Sequence, residues 1–431
     1  MSETLGQPGT TSTSILGNPV LRREDDALVR GQGEYVGNVP LEGALHAHFV
    51  RSTTAHGTIE SIEVDDARSM PGVVAVYTAA DLGLDDRPVT MGFYPSEMGR
   101  SFLARDRVRF VGEPIAVVVA ESPYLAADAA EMIWADIEPL PPVLDLADAL
   151  AGDTVLFPDL GHNVAFRNAV EDPIDFSGYE VVVTEDVANS RVAAVSIEPR
   201  VVAASIVDGR LTCWASSQGA HSFRQAVAEI LGLEPEDMRV YVKDIGGGFG
   251  AKGVPSEEEV MVVYLARLLE RPVRWTETRT ENLTGYVHGR AQDQKVTIAG
   301  TRDGDIQAYR LELIQDSGAY PKYGAFLPEF TRQMASGVYD IGRVELEFAS
   351  VVTTTAPICA YRGAGRPEAT AAIERAVDLF AAEIGMDPAE VRRRNLPSPD
   401  AFPFTNGTGT VYDSGEYERA LDVALGAADY A

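Results

Sequence analysis

Apolar residues recur along this chain with two different periods, and the switches between them predict where strands give way to helices. Leu45–Val50 and Ile59–Val64 read as short strands, and Val73–Tyr77 as a third after a Pro71-Gly72 turn. Val108–Val111 precedes Gly112, and Ile115–Ala120 is apolar throughout, as a strand buried on both faces would be. Pro123 predicts the start of a helix running through Ala135, and Glu138-Pro139-Leu140-Pro141-Pro142 closes the unit. The pattern is weak from about residue 146 and resumes near Tyr179. The segmentation is thus an arm (1–30), a small α/β domain (31–145), a linker (146–178) and a second domain (179–431).

The second domain alternates strands with long amphipathic helices. Val201–Ile206 and Leu211–Ser216 flank Asp208-Gly209, and Lys295–Ile298 and Ile306–Ile314 flank 302–305; both read as hairpins. Residues 222–231 read as a helix. Met238–Ile245 is strand-like and leads into Gly246-Gly247-Gly248-Phe249-Gly250-Ala251-Lys252; Ser256 and Glu259 then stand at capping-box spacing before a second helix. Pro272–Thr276 and Val344–Thr354 are further strands. A second glycine stretch, Ala360-Tyr361-Arg362-Gly363-Ala364-Gly365, runs into a helix with apolar positions 369, 372, 373, 376, 377, 380 and 384, closed by Gly385. Asp387 opens another. The fold class is α/β (α+β), with a small domain followed by a larger one.

Composition narrows the function classes. With 45% hydrophobic residues, the 431-residue chain is long enough for two domains. A net charge of −29 argues against nucleic acid and anionic membranes as partners. No apolar run is long enough to span a bilayer. Met1–Thr13 lacks the basic and apolar regions of a secretory signal and reads as a disordered leader, which suits a cytoplasmic protein. Two cysteines, Cys213 and Cys359, cannot hold an iron–sulfur cluster or a structural zinc ion alone, and read as buried residues of a reducing compartment. His46 and His48 share one face of a strand without a carboxylate or thiol at ligand spacing, so no metal site is expected there.

The glycine stretches carry the candidate chemistry. Bare backbone admits positive φ and close ligand approach, and nested amides hold anionic oxygens. One such stretch is equally consistent with a structural turn. Gly246-x-Gly248-x-x-Ala251, with Glu270 as a ribose acid, also fits a dinucleotide fingerprint; the phosphate-loop lysine pattern fails at Ala251 and Gly253. Two stretches together, the second with Arg362 as a forked cation, favour one shared anionic ligand. No Gly-x-Ser-x-Gly nucleophile elbow occurs.

Several marks, in order along the chain, resemble the molybdopterin-binding large subunit of the molybdenum hydroxylases, the family of xanthine dehydrogenase, aldehyde oxidase and aerobic carbon monoxide dehydrogenase. They are Arg22–Asp25 with Gly31, Gly33 and Tyr35; Leu45–Ser52 with Ala55-His56; Val111–Val118; Glu138–Pro141; Trp214–Gln218; Gly246–Lys252; Ala360–Gly365; and Gly385–Pro388 with Arg393–Leu396. The resemblance implies a hammerhead-like small α/β domain followed by the first part of a molybdenum-cofactor domain. It implies Gln218 beside an oxo ligand of the metal, Gly248, Phe249 and Gly250 along the cofactor, and Arg362 at the active site.

It also implies hydroxylation of an aldehyde or N-heterocycle with water as oxygen source. Electrons would pass to a 2Fe-2S small subunit and an FAD medium subunit. The cofactor would be of the cytosine dinucleotide form. Two positions depart from the family's patterns. Gly363 stands where the carbon monoxide enzymes place a cysteine, and Gly253 where xanthine-type enzymes carry an acid. The family's catalytic glutamate, in a Gly-x-Gly-Glu motif, belongs to the later half of the family sequence, which this chain does not match. The chain therefore reads as the N-terminal half of such a subunit, completed by a polypeptide carrying the C-terminal half. The alternatives are a catalytically silent scaffold or binding protein with the family's fold, and a dinucleotide-dependent dehydrogenase using Gly246–Ala251.

Overall fold

A computed structural model describes residues 20–430. In chain order the principal strands are β1 (Leu45–Arg51), β2 (Gly57–Glu63), β3 (Val73–Thr78), β4 (Pro114–Ala120), β5 (Trp134–Pro139), β6 (Val164–Asn168), β7 (Val181–Asn189), β8 (Val201–Val207), β9 (Arg210–Ala215), β10 (Met238–Tyr241), β11 (Val273–Thr276), β12 (Gln292–Gly300), β13 (Ile306–Asp316) and β14 (Arg343–Val351). The helices used below are α1 (Pro123–Ala130), α2 (Leu146–Ala151), α3 (Ala220–Ile230), α4 (Glu257–Leu268), α5 (Arg279–Gly285) and α6 (Arg366–Ile384).

Both hairpins form where turn chemistry places them. β8 and β9 pair in register up to Val207↔Arg210, with Asp208 and Gly209 at φ +51° and +75°. β12 and β13 pair from Gln292↔Gln315. The two sequence domains share a sheet. Its order is β10-β9-β8-β11-β1-β4-β3, and the seam is the parallel contact Leu45↔Val273 between β1 and β11. Strand β1 alternates as its pattern predicts: Leu45, Ala47 and Phe49 are buried, and His46 and His48 lie half-buried on the other face. Helix α4 covers this sheet, burying Val260, Met261, Val263 and Leu265 against Phe49, Val117, Val202 and Trp275. A second, five-stranded sheet, β6-β14-β13-β12-β7, packs one face on α6 through Val296, Tyr309, Leu311, Phe348, Ile373 and Phe380.

Two expectations are corrected. The helix begun at Pro123 ends at Ala130 rather than running through Ala135, because Trp134–Pro139 pairs with β2 instead, Ile59 opposite Ile137. An alanine-rich stretch favours helix locally, and the cross-strand partner overrides it. Residues 146–178 are not a plain linker. They contain α2, with Leu146 and Ala149 buried, and β6, which forms the edge of the five-stranded sheet beside β14. Their local pattern is weak because tertiary contacts order them. The expected leader, Met1–Thr13, lies outside the described residues. Farther on, the arm crosses the sheet: the Glu34 N–H donates to the Asp244 carboxylate at 2.7 Å, and Arg274 donates to the Gly37 carbonyl at 3.3 Å.

Below the seam lies a buried ionic network. The first turn of α4 presents Glu257, Glu258 and Glu259, all buried. Arg100 (2.9 Å) and Lys322 (2.8 Å) meet Glu257; Arg51 (2.9 Å) and Arg200 (2.6 Å) meet Glu258. Arg200 also donates from Nε to Glu277 at 2.9 Å. Arg51 and Arg100 come from the small α/β unit, so these pairs tie it to the second unit and fix where α4 begins.

Candidate functional site

The first glycine stretch is a loop held from beneath. The Gly246 N–H donates to Glu198 Oε2 at 2.8 Å, and the Gly246 carbonyl accepts from the Glu198 N–H at 3.1 Å. Lys252 is buried behind the loop. Its Nζ donates to the carbonyls of Glu198 (2.8 Å) and Pro199 (3.0 Å) and to Ser216 Oγ (2.7 Å). Burial pulls the Lys252 ammonium below its ordinary pKa, and the charge of Glu198 opposes that shift. The Lys252 carbonyl then accepts from the Gln218 N–H at 3.0 Å, which places Gln218 beside the glycines.

Gln218 Oε1 accepts from the Gly250 N–H at 2.8 Å. That bond orients the amide and leaves Nε2 as the free donor. Gly248 has no room for a side chain, since a Cβ there would lie 2.6 Å from the Gln218 side chain. The loop therefore bends away through Gly247 (φ +105°), Phe249 (φ +55°) and Gly250 (φ +95°). A positive φ at a phenylalanine is strained, and such strain gathers at functional sites.

The second stretch meets the first directly. The Arg362 N–H donates to the Phe249 carbonyl at 2.9 Å, and a Cβ on Gly250 would lie 2.8 Å from the Ala360 carbonyl oxygen. The Phe249 and Tyr361 rings stand 6.5 Å apart. Phe249, Gly250, Ala360, Tyr361, Arg362, Gly363 and Ala364 line a cavity of about 340 Å³. Phe249 and Arg362 thus line one cleft, and Gln218, far from Arg362 in the chain, is bonded to the lining residue Gly250. Arg362 is exposed and forms no ion pair among the described residues. The N–H groups of Gly247, Gly248, Phe249, Gly363 and Gly365 have no protein acceptor among the described residues. Two of these amides, Phe249 and Gly363, belong to residues lining the hollow, and with the unpaired Arg362 guanidinium they suit an anion.

Helix α4 begins where the capping-box spacing placed it, beyond the glycines. That helix starts at Glu257, seven residues past Gly250, and its N-terminus is closed by the reciprocal Ser256–Glu259 capping box. The dinucleotide alternative loses its basis here, because it needs the pyrophosphate at a free helix N-terminus and three carboxylates occupy that turn. The second stretch does open its helix, with Gly365 as N-cap of α6 at φ +83°. A larger groove of about 830 Å³ lies on the uncovered face of the five-stranded sheet. It is lined by Asp186, Asp293, Lys295, Glu312 and Glu347, and a net acidic strand surface is a poor seat for an anion.

Sequence reasoning passed over Glu198 and Ser216, and weighed Lys252 only as a phosphate-loop lysine. Glu198 has no motif; only its spatial neighbours reveal it. Exposed apolar side chains flank the cleft on the adjoining segments: Val192, Val195, Leu283 and Ile197, the last 93% exposed. The Ser196 carbonyl between them accepts from Arg279 at 2.6 Å. Both cysteines are free and buried. No cluster of three or more metal-ligating side chains occurs among the described residues, and no described helix is long and apolar enough to cross a membrane.

His288 lies beside the segment leading to the second stretch, opposite Ile358, and its carbonyl accepts from the Cys359 N–H at 2.7 Å. Burial, reinforced by the Arg191 charge, pushes its imidazole down to about 4. The unfolded chain therefore binds the extra proton between about pH 6.5 and pH 4, and stability must fall as pH drops through that window, by up to about 3 kcal/mol. Urea titrations at pH 7 and pH 4.5 should show that loss, and His288→Gln should flatten it.

Taken together, fold and cleft define a cofactor-holding domain, built to grip an anionic group and joined through a shared sheet to a small α/β unit. Comparison with known proteins agrees. The family model for the molybdopterin cofactor-binding domain matches residues 156–396, and that for the aldehyde oxidase and xanthine dehydrogenase a/b hammerhead domain matches residues 30–141. The chain belongs to the molybdenum hydroxylase family, in the N-terminal half of its molybdopterin-binding large subunit. It is similar to the solved quinoline 2-oxidoreductase of Pseudomonas putida 86, with 35% identity and a TM-score of 0.91 over 96% of this chain and 54% of that one. It is 35% identical to the carbon monoxide dehydrogenase large chain of Hydrogenophaga pseudoflava, over 95% of this chain and 53% of that protein. The nicotinate dehydrogenase large molybdopterin subunit of Eubacterium barkeri is 28% identical, with 88% of this chain matched to 89% of that protein. The chain spans about half the length of the curated relatives it matches at 34–35% identity.

Proposed function

We propose that this chain forms part of the molybdopterin site of a hydroxylase acting on an aldehyde or an aromatic N-heterocycle, with water as the source of oxygen. The observation that carries the reading is the meeting of the two glycine stretches, where Phe249 and Arg362 line one hollow with the unused Phe249 and Gly363 N–H groups and Gln218 is bonded to the lining residue Gly250. The cleft fits a phosphate-bearing pterin. The bends provide N–H groups where a Cβ would obstruct, and Arg362 adds a cation with no competing carboxylate among the described residues. When bound, the cofactor would supply the oxygen-transfer and electron-accepting chemistry, with molybdenum as its metal.

The residues of this chain would hold and orient. Gln218 Nε2, left free by the bond from Gly250 to Oε1, would offer a neutral donor to an oxo group of the cofactor. Gly248, Phe249 and Gly250 would run along the cofactor, with the Phe249 and Tyr361 rings shielding it from water. Gly363, lacking a thiol, speaks against carbon monoxide as substrate. The general-base glutamate would come from a polypeptide carrying the C-terminal half, docked on the apolar rim at Val195, Ile197 and Leu283. The matched nicotinate dehydrogenase subunit, of comparable length, supports such a division. A 2Fe-2S subunit and an FAD subunit would carry electrons away in the cytoplasm, and the cofactor would be the cytosine dinucleotide form.

The test is metal and pterin analysis of the chain co-purified with the polypeptide carrying the C-terminal half. About one molybdenum per complex is expected, with a marked loss in Arg362→Ala. A complex containing both halves but no molybdenum would overturn the reading and leave the scaffold alternative.

A further inference from the structure

We infer that Arg290, paired with Glu368, is a positioning residue that sets the second glycine stretch and aims Arg362 into the cleft; the inference rests on the proposed cofactor site. Arg290 is buried outside the cleft and touches none of its lining side chains except the Tyr361 ring, whose centroid lies 4.9 Å from the guanidinium carbon. Its Nη1 donates to the Tyr361 carbonyl at 3.0 Å and its Nη2 to the Arg362 carbonyl at 2.6 Å. Nη1 also reaches Glu368 Oε1 at 3.3 Å, and Glu368 is fully buried in the first turn of α6.

Two successive carbonyls held by one rigid fork fix two successive peptide planes. The Arg362 N–H is meanwhile spent on the Phe249 carbonyl. With both of its peptide groups fixed, the Cα–Cβ bond of residue 362 has one direction, and the side chain starts from the wall of the cavity that it lines. The backbone beneath is strained to allow this: Arg290 and Ala291 sit at φ +64° and +65°. Two adjacent non-glycine residues in the left-handed region persist only when their surroundings over-determine them. Here Gln315 Nε2 donates to both of their carbonyls, at 2.8 and 3.1 Å, anchoring them to β13. The five-stranded sheet thereby dictates where the second stretch lies relative to the first. Charge alone would not do this. A lysine keeps the ion pair with Glu368, but a single ammonium cannot span two carbonyls in one plane.

Arg290→Lys and Glu368→Gln are compared with wild type by amide hydrogen exchange of the full chain, followed in 360–365 and, as a control, in β12. Exchange in 360–365 should rise about tenfold or more in both variants, with β12 unchanged, because opening of that stretch becomes local. In the assembled complex, molybdenum loss during dialysis should quicken in Arg290→Lys and in Arg362→Ala. The double variant should be no faster than Arg362→Ala alone, since both changes disable one element. Unaltered exchange at 360–365 in both variants, or losses that multiply in the double variant, would overturn the inference. A wild-type complex without molybdenum would instead sink the proposed function, and the exchange data would still decide whether Arg290 orders the stretch.

Discussion

Replacing Gly250 by alanine will separate the two glycine stretches and abolish molybdenum–pterin retention while leaving the rest of the chain folded. Gly250 sits at φ +95°, where an L side chain costs about 1–2 kcal/mol. The added Cβ would also lie 2.8 Å from the Ala360 carbonyl oxygen, which is backbone and cannot swing aside. Overpacking of this kind adds about 1–3 kcal/mol. The sum, about 2–5 kcal/mol, falls on the junction that carries both the Gly250–Gln218 and the Phe249–Arg362 hydrogen bonds. Relief requires the stretches to part, and the amide cradle parts with them. Gly253→Ala is the control, because that glycine has an ordinary φ and open space around its Cβ position. Molybdenum analysis of the two variants checks the expectation, and full metal content in Gly250→Ala would refute it.

The largest effect on stability should come from Arg200→Met. Arg200 is 1% exposed and pairs with Glu258 and Glu277, which are equally buried. Removing the guanidinium strands two carboxylates away from water, a loss of about 3–5 kcal/mol for a broken buried pair. Urea unfolding at pH 7 measures it. The same network gives a second signature. Burial would raise the Glu257 and Glu258 carboxyls, but Arg100, Lys322 and Arg87 hold the first, and Arg200 and Arg51 the second, below the ordinary range. Their stabilisation is present above about pH 4.3 and is lost as pH falls below it. Glu259 opposes this, since burial leaves its carboxyl raised. In Arg200→Met the acid-side loss should shrink, because Glu258 then keeps only Arg51 of its two paired cations. A variant as stable as wild type at pH 7 would show that the network adds nothing net.

Local pattern located most of the elements. Asp208-Gly209 fixed a hairpin because positive φ at both turn residues is a local requirement, and the helix to Gly385 was legible because its apolar stripe lies within one element. Where the reading went astray, partners distant in sequence had decided the outcome: β5 answers to β2, and β6 to β14. The same division runs through the cleft. Gln218, Phe249 and Arg362 stood out through motif and resemblance. Glu198 and Arg290, which hold the loops in place, carry no motif, because their work consists of bonds to backbone groups far away in the chain, and Lys252 was legible as part of the first stretch but not in its role behind it.

The sequence by itself determined the family and the two glycine stretches, because these rest on residue type: bare backbone, a forked cation, a neutral amide. Only the tertiary structure decided that the two stretches abut through the Arg362–Phe249 hydrogen bond and that the small α/β unit shares its sheet with the cofactor unit. The physical reason is that distance and burial belong to pairs of residues. A composition or a period describes one segment at a time, whereas a cleft is set by which segments the hydrophobic core and its buried charges bring face to face.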